Sequence, residues 1–236
     1  VNNKSKVAVI TGGSQGIGAA LVQGYRGLGY RVVATSRSIA RSADPDLLTI
    51  AGDIGDPQTG PRVIAQALAR FGRVDTLVNN AGIFVARPFD QYTPEEYARV
   101  IATNLNGFFF TTQAAIAAME PRGGGHVVSI TTALVDHPLS AVPSALASLS
   151  KGGIDAATRS IAIEYATRGI RVNAVAPGVI NTQMHAPESH AALAALHPVG
   201  RLGEIHEIVN AVLYLETADF VTGESIHVDG GQAAGH

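Results

Sequence analysis

The sequence predicts an α/β fold, a doubly wound parallel sheet of seven strands with helices on both faces. Two observations carry that prediction. Short β-branched apolar runs alternate with longer segments of helical period, the pattern of βαβ units. A glycine-rich turn follows the first run and opens the first helix, which is where a parallel sheet of this kind offers a phosphate site.

Each element has its own signal. VAVIT (7–11) is the first strand, and the turn after it leads into a helix over 17–28. RVVATS (31–36) and LLTIA (47–51) are the next two strands, followed by a helix over 60–71 that Asp56-Pro57 announces. DTLVN (75–79) precedes a long helical stretch, 94–119, started by Thr93-Pro94-Glu95-Glu96. HVVSIT (126–131) leads through Pro143-Ser144 into a helix over 144–168, and RVNAVA (171–176) follows. From Ile180 to Leu202 there is no strand character and there are several breaks. We read 180–202 as a substrate loop or lid with a short helix, since insertions of this length in compact domains often cover a site. A helix over 204–216 and the strand ESIHVD (224–229) complete the unit.

No linker divides the 236 residues, and 26 glycines and 11 prolines are scattered through apolar runs, so one domain over 1–236 is expected. Seventeen basic against nineteen acidic side chains give a net charge of −2 without a basic stripe, which argues against a nucleic-acid partner. The longest apolar stretch, GFFFTTQAAIAAM, is interrupted well before the roughly twenty residues a bilayer span needs. Val1 to Lys6 run straight into a strand without a signal-peptide pattern, so a cytoplasmic protein with no membrane partner is expected. There is no cysteine, and His185, His190 and His197 lack the i, i+4 spacing of a helical metal pair, so no metal is expected.

In VAVITGGSQGIGAAL, Gly12, Gly16 and Gly18 permit close approach of backbone to phosphate, and the helix N-terminus beyond them offers unpaired N–H groups. A carboxylate at the end of the second strand would bond a ribose 2′-hydroxyl and repel a 2′-phosphate. Thr35-Ser36-Arg37 stands there instead, so NADP(H) is expected over NAD(H), with Ser36 and Arg37 at the 2′-phosphate.

Together these motifs resemble the short-chain dehydrogenase/reductase family over nearly the whole chain. TGGSQGIG (11–18) is similar to its cofactor loop, GDI (52–54) to its adenine-side acid, NNAG (79–82) to its fourth-strand motif and TNLNG (103–107) to its helix asparagine. Pro177-Gly178 with Thr182 is similar to its nicotinamide-side loop, and FVTGESIHVDGG (220–231) to its last strand. The resemblance implies a Rossmann-like fold and hydride transfer between a nicotinamide and a small-molecule carbonyl or alcohol. It implies that Gly12, Ser14, Gln15, Gly16, Ile17 and Gly18 surround the pyrophosphate and that Asp53 and Ile54 border the adenine. Asn80, Ala81 and Gly82 would line the ribose, Lys151 would bond the nicotinamide ribose, and Pro177, Gly178, Ile180 and Thr182 would flank the nicotinamide. Asn104 would hold a water in a proton relay. A homodimer or homotetramer paired through 94–119 and 144–168 is also implied.

One position departs from the pattern. The family's proton donor is a tyrosine four residues before the lysine, on the same helix face, where the ammonium lowers its pKa. Ala147 occupies that place, and none of the six tyrosines replaces it by spacing. The family's carbonyl-polarising serine is replaced by Thr131-Thr132, of which Thr132 is the closer counterpart. A positioned general acid contributes about 10²- to 10⁴-fold, so its loss slows hydride transfer without abolishing it. The sequence therefore leaves several readings open. One is a reductase with another donor: Lys151 through a water, His137 in the loop after the fifth strand, or Ser144 and Ser148 relaying a water. Another is an inactive NADP(H)-binding sensor or assembly subunit. A third, a lyase or isomerase using the same pocket, has no positive sign in the sequence.

Overall fold

Among residues 5–235, which a computed structural model of the chain describes, seven strands form one parallel sheet in the order β3-β2-β1-β4-β5-β6-β7. Residues 1–4, which the sequence reading runs into the first strand, and His236 lie outside the described residues. The strands are β1 Val7–Thr11, β2 Arg31–Ser36, β3 Leu47–Ala51, β4 Thr76–Asn79, β5 Gly125–Ile130, β6 Ile170–Pro177 and β7 Ser225–Val228. Each predicted strand is present, with ends displaced by no more than a residue.

Alternation along β1 shows why both faces of the sheet are covered. Ala8 and Ile10 point to one side and pack with Leu21 and Tyr25 of α1 (Gly16–Gly27) and with Ile208, Val212 and Leu215 of α7 (Ile205–Thr217). Val7 and Val9 point to the other and meet α2 (Thr59–Phe71) through Val63, Ile64 and Ala67. The same layer holds Ala115, Ile116 and Met119 of α4 (Gly107–Met119) and Ala162 of α5 (Ala145–Tyr165). A strand buried on both faces needs apolar residues at every position, which is why these runs read as continuous.

The stretch predicted as a single helix over 94–119 is helical but not uniform. Thr93 caps α3 (Pro94–Val100) through a reciprocal box with Glu96, then Ile101–Asn106 widens into a π-helical turn before α4. The sequence period gives no notice of the widened turn, which carries Asn104 and its long-range contacts, described below. The segment between β6 and α7 contains a 3₁₀ turn (Pro187–Ser189) and the short helix α6 (His190–Ala194), as the breaks in its sequence predict.

The chain order reverses between β1 and β4. In open parallel sheets the crevice beyond the C-terminal strand ends at such a reversal is the ordinary ligand position. The turn after β1 and the NNAG motif after β4 flank that crevice.

Candidate active site

Gly12 and Gly16 have φ of +68° and +54°, conformations that a side chain would strain. Gly18 is restricted by space rather than by φ: a Cβ there would run into the Gly12 carbonyl oxygen. Thr11, the last residue of β1, binds this turn to the next motif. Its Oγ1 accepts from the main-chain N–H groups of Asn80 (3.1 Å) and Ala81 (3.0 Å), and Asn80 Nδ2 donates to the Thr11 carbonyl at 2.9 Å. The result is a glycine-lined concavity at the N-terminus of α1, where main-chain N–H groups lie unpaired by the helix. Ser14 and Gln15 are exposed on its rim and Ile17 is half-buried.

At the adenine side, Ile54 is buried against Gly107, and exposed Asp53 accepts the Gly55 N–H at 2.9 Å. Arg37 is exposed just beyond β2. Ser36 has a buried Oγ without a hydrogen-bond partner.

The centre of the site is built from α5 and the widened turn. Asn104 Nδ2 donates to the Ile83 carbonyl (3.1 Å) and to Ser150 Oγ (3.0 Å), while its Oδ1 accepts the Ile83 N–H (2.9 Å). Both amide hydrogens are thus used, and one lone pair of Oδ1 remains for a further donor such as water. Ser150 is fully buried and donates back along its helix to the carbonyls of Leu146 and Ala147. These bonds lock the turn, the loop after β4 and α5 into one unit and place Lys151. The lysine Nζ donates to the Ile130 carbonyl at 2.6 Å, at the end of β5, and lies 3.0 Å from where a Gly82 Cβ would sit. Burial pushes its ammonium down to about 8.

At Ala147, where the resemblance would place the family's tyrosine, the chain offers no side-chain hydroxyl. Ala147 is 4 % exposed and its neighbour Leu146 is also buried. Of the two threonines, Thr131 is buried with its hydroxyl given to the Val175 carbonyl. Thr132 accepts the Leu134 N–H at the start of a 3₁₀ turn (Ala133–Val135) and keeps its own O–H. His137 lies in the following loop with its N–H on the Ala133 carbonyl. Ser148 donates to the Leu134 carbonyl at 3.3 Å, whereas Ser144 is buried at the start of α5 without capping it through its side chain.

The nicotinamide-side loop leaves β6 at Pro177. Gly178 N–H bonds the Val228 carbonyl, the Val179 carbonyl accepts from Gly203, and the Asn181 N–H donates to the Gly203 carbonyl. Ile180 is the residue of this stretch whose main-chain groups these bonds do not take up. Thr182 Oγ1 accepts the Met184 N–H, and its methyl is 3.9 Å from a Gly16 Cβ position, so this loop and the glycine turn face each other.

A family model described as enoyl-(acyl carrier protein) reductase matches residues 12–233. The chain belongs to the short-chain dehydrogenase/reductase family. It is 37 % identical over 239 residues to an acetoacetyl-CoA reductase of Rhizobium meliloti (strain 1021), covering 97 % of this chain and 98 % of that protein. It is 36 % identical over 242 residues to the 3-oxoacyl-[acyl-carrier-protein] reductase FabG of Escherichia coli (strain K12), covering 98 % of each. A solved structure titled "ElxO with NADP Bound" superposes with a TM-score of 0.92 at 27 % identity, over 98 % of this chain and all of that one. As a short-chain dehydrogenase/reductase, the protein is an oxidoreductase of Rossmann-like fold.

Sequence reasoning singled out the turn, the asparagine and the lysine but not Thr11 or Ser150, which the structure bonds to Asn80 and Asn104. Thr11 had a signal, being the hydroxyl next to the glycine turn. Ser150 had none, because its partner Asn104 is 46 residues away.

Proposed function

We propose that the protein is an NADP(H)-dependent oxidoreductase that works on a small carbonyl or alcohol with Lys151, acting through a water, in place of the phenol. The observation that carries this reading is the state of Lys151: a buried ammonium held on the Ile130 carbonyl beside Gly82, whose pKa, about 8, suits proton exchange near neutral pH. The cofactor would supply or accept the hydride. Gly12 and Gly16 hold the turn at positive φ and Gly18 packs against the Gly12 carbonyl, a turn shape that suits a pyrophosphate, and the orphaned Ser36 Oγ beside Arg37 supports a 2′-phosphate at the end of β2. In the reducing direction, Thr132 donates its hydroxyl hydrogen to the substrate carbonyl. Lys151, through a water, would supply the proton that the substrate oxygen takes up and would be reprotonated from solvent. Segment 180–202 forms the wall on the substrate side. Phe109 of α4 and Leu149 and Ile163 of α5, all more than half exposed, support pairing of subunits through these helices.

The test is NADPH oxidation by wild type, Ala147→Tyr and Lys151→Ala over ketones, aldehydes and quinones, after cofactor binding has been measured for each. Turnover by wild type, not improved by the tyrosine and lowered about 10²- to 10⁴-fold by Lys151→Ala, is expected. Silence in wild type with activity appearing in Ala147→Tyr would replace this reading with the sensor.

A further inference from the structure

We infer that His197 is a positioning residue that seats the nicotinamide-side loop and ties it to the 183–196 segment; the inference rests on the cofactor reading proposed above. The His197 ring is 3 % exposed and wedged beneath the loop. Its Nε2 accepts the Val179 N–H at 2.9 Å, and a Cβ on Gly178 would stand 2.6 Å from that nitrogen and 3.0 Å from the Asp229 Cα. A Cβ on Gly230 would approach the His197 Cβ to 3.2 Å. Gly178 and Gly230 therefore give the imidazole its room, one just after β6 and one from the turn after β7.

The ring is chosen for its acceptor and not for bulk. Because Nε2 accepts from a main-chain amide, the proton of the neutral ring sits on Nδ1, which is buried without a partner. A side chain serving only to fill space would not bring an unpaired buried N–H. What it gains is the orientation of the peptide just before Ile180. The other end of the coupling is covalent. His197 closes the helical segment through its N–H to Ala194, and its carbonyl accepts from Gly200. Displacement of α6 toward or away from the crevice therefore pulls directly on the side chain that orients the loop.

Three variants separate these roles. His197→Gln places an amide oxygen near the Nε2 position, His197→Asn is too short to reach it, and His197→Leu has no acceptor. Residue-resolved hydrogen exchange of the Val179 amide, without cofactor, reads the bond itself. It should accelerate about tenfold in the Asn and Leu proteins, the effect of one lost hydrogen bond, and stay near wild type in Gln. Cofactor coupling is read by NADPH fluorescence titration and by cleavage after exposed Glu188 with a glutamyl endopeptidase. NADPH should protect Glu188 in wild type and Gln, and protect it less in Asn with a Kd about tenfold higher. Unchanged Val179 exchange in the Asn protein, or a Gln protein indistinguishable from Leu, would overturn the inference. Failure of wild type to bind NADPH while Val179 exchange responds as described would overturn the cofactor reading and not the seating of the loop.

Discussion

The two ends of the sheet each bury an ionisable group, and they treat it in opposite ways. At the N-terminal strand ends, Glu216 of α7 is 6 % exposed and accepts from Tyr25 (3.1 Å), Tyr30 (2.7 Å), Thr76 (3.0 Å) and His126 Nδ1 (2.9 Å). Burial pushes the Glu216 carboxyl up, but the bonds from His126, Tyr30 and Thr76 outweigh it and the net shift is down. Burial also pushes the His126 imidazolium down, so the pair is a carboxylate and a neutral ring, with Asn173 donating to the ring's other nitrogen at 3.2 Å. At the C-terminal ends, Lys151 has the Ile130 carbonyl and no carboxylate bonded to it among the described residues. One charge is saturated by donors and fixed; the other is under-solvated and gives up its proton readily. The difference separates a charge held by donors from one that burial destabilises.

The comparison can be broken most severely at the saturated end. Glu216→Leu leaves two phenols, a threonine and an imidazole without their acceptor, and we expect a loss of about 3–5 kcal/mol, the usual result of removing one partner from a buried polar cluster. Urea unfolding would show it; a loss below about 1 kcal/mol would mean that the cluster relaxes or admits water.

Lys151→Met should do the reverse, with a pH signature. The folded pKa of about 8 lies below the ordinary 10.5, so between these values the unfolded chain binds more protons than the folded one. Stability contributed through this group therefore rises with pH across that window, and the lysine is a full liability at and below pH 8. The methionine variant should exceed wild type by on the order of 3 kcal/mol near pH 7, with the gap closing by about pH 10.5. Parallel stability curves for the two proteins over that window would refute the desolvated lysine.

Gly18→Ala sharpens the contrast at the cofactor loop. The added methyl meets the Gly12 carbonyl oxygen, so we expect a stability loss of about 1–3 kcal/mol. NADPH affinity should fall more steeply than stability, as measured by fluorescence titration against thermal unfolding.

The smallest effect is expected at Thr93→Ala. It removes a cap that accepts the Glu96 N–H at 3.2 Å at the exposed start of α3 and should cost about 1 kcal/mol. Cofactor affinity should be unchanged, because the whole of α3 separates its cap from the widened turn that carries Asn104; a drop in affinity would show that the turn is held from its N-terminal side.

Much of this was legible before any coordinates. The β-branched runs fixed the strands because burial on both faces demands apolar residues throughout, and the glycine turn was legible because only glycine meets its φ and clearance. The capping box of α3 was readable for the same local reason. Less was visible where a residue answers to a distant partner. The uniform helix expected over 94–119 contains a π-helical turn that carries Asn104, which reaches Ile83 and Ser150, neither of which its local period involves.

The sequence by itself determined the fold class, the glycine turn that opens α1 and the alanine four residues before Lys151, since each follows from periodicity, clearance or residue identity at fixed spacing. Only the tertiary structure decided what surrounds that position: that Ala147 is buried, that Thr132 and not Thr131 keeps a free hydroxyl hydrogen, and that Lys151 is desolvated. It also assigned His197 to the nicotinamide-side loop. These are properties of packing between segments far apart in the chain, and solvation and hydrogen bonding are set by which segments meet.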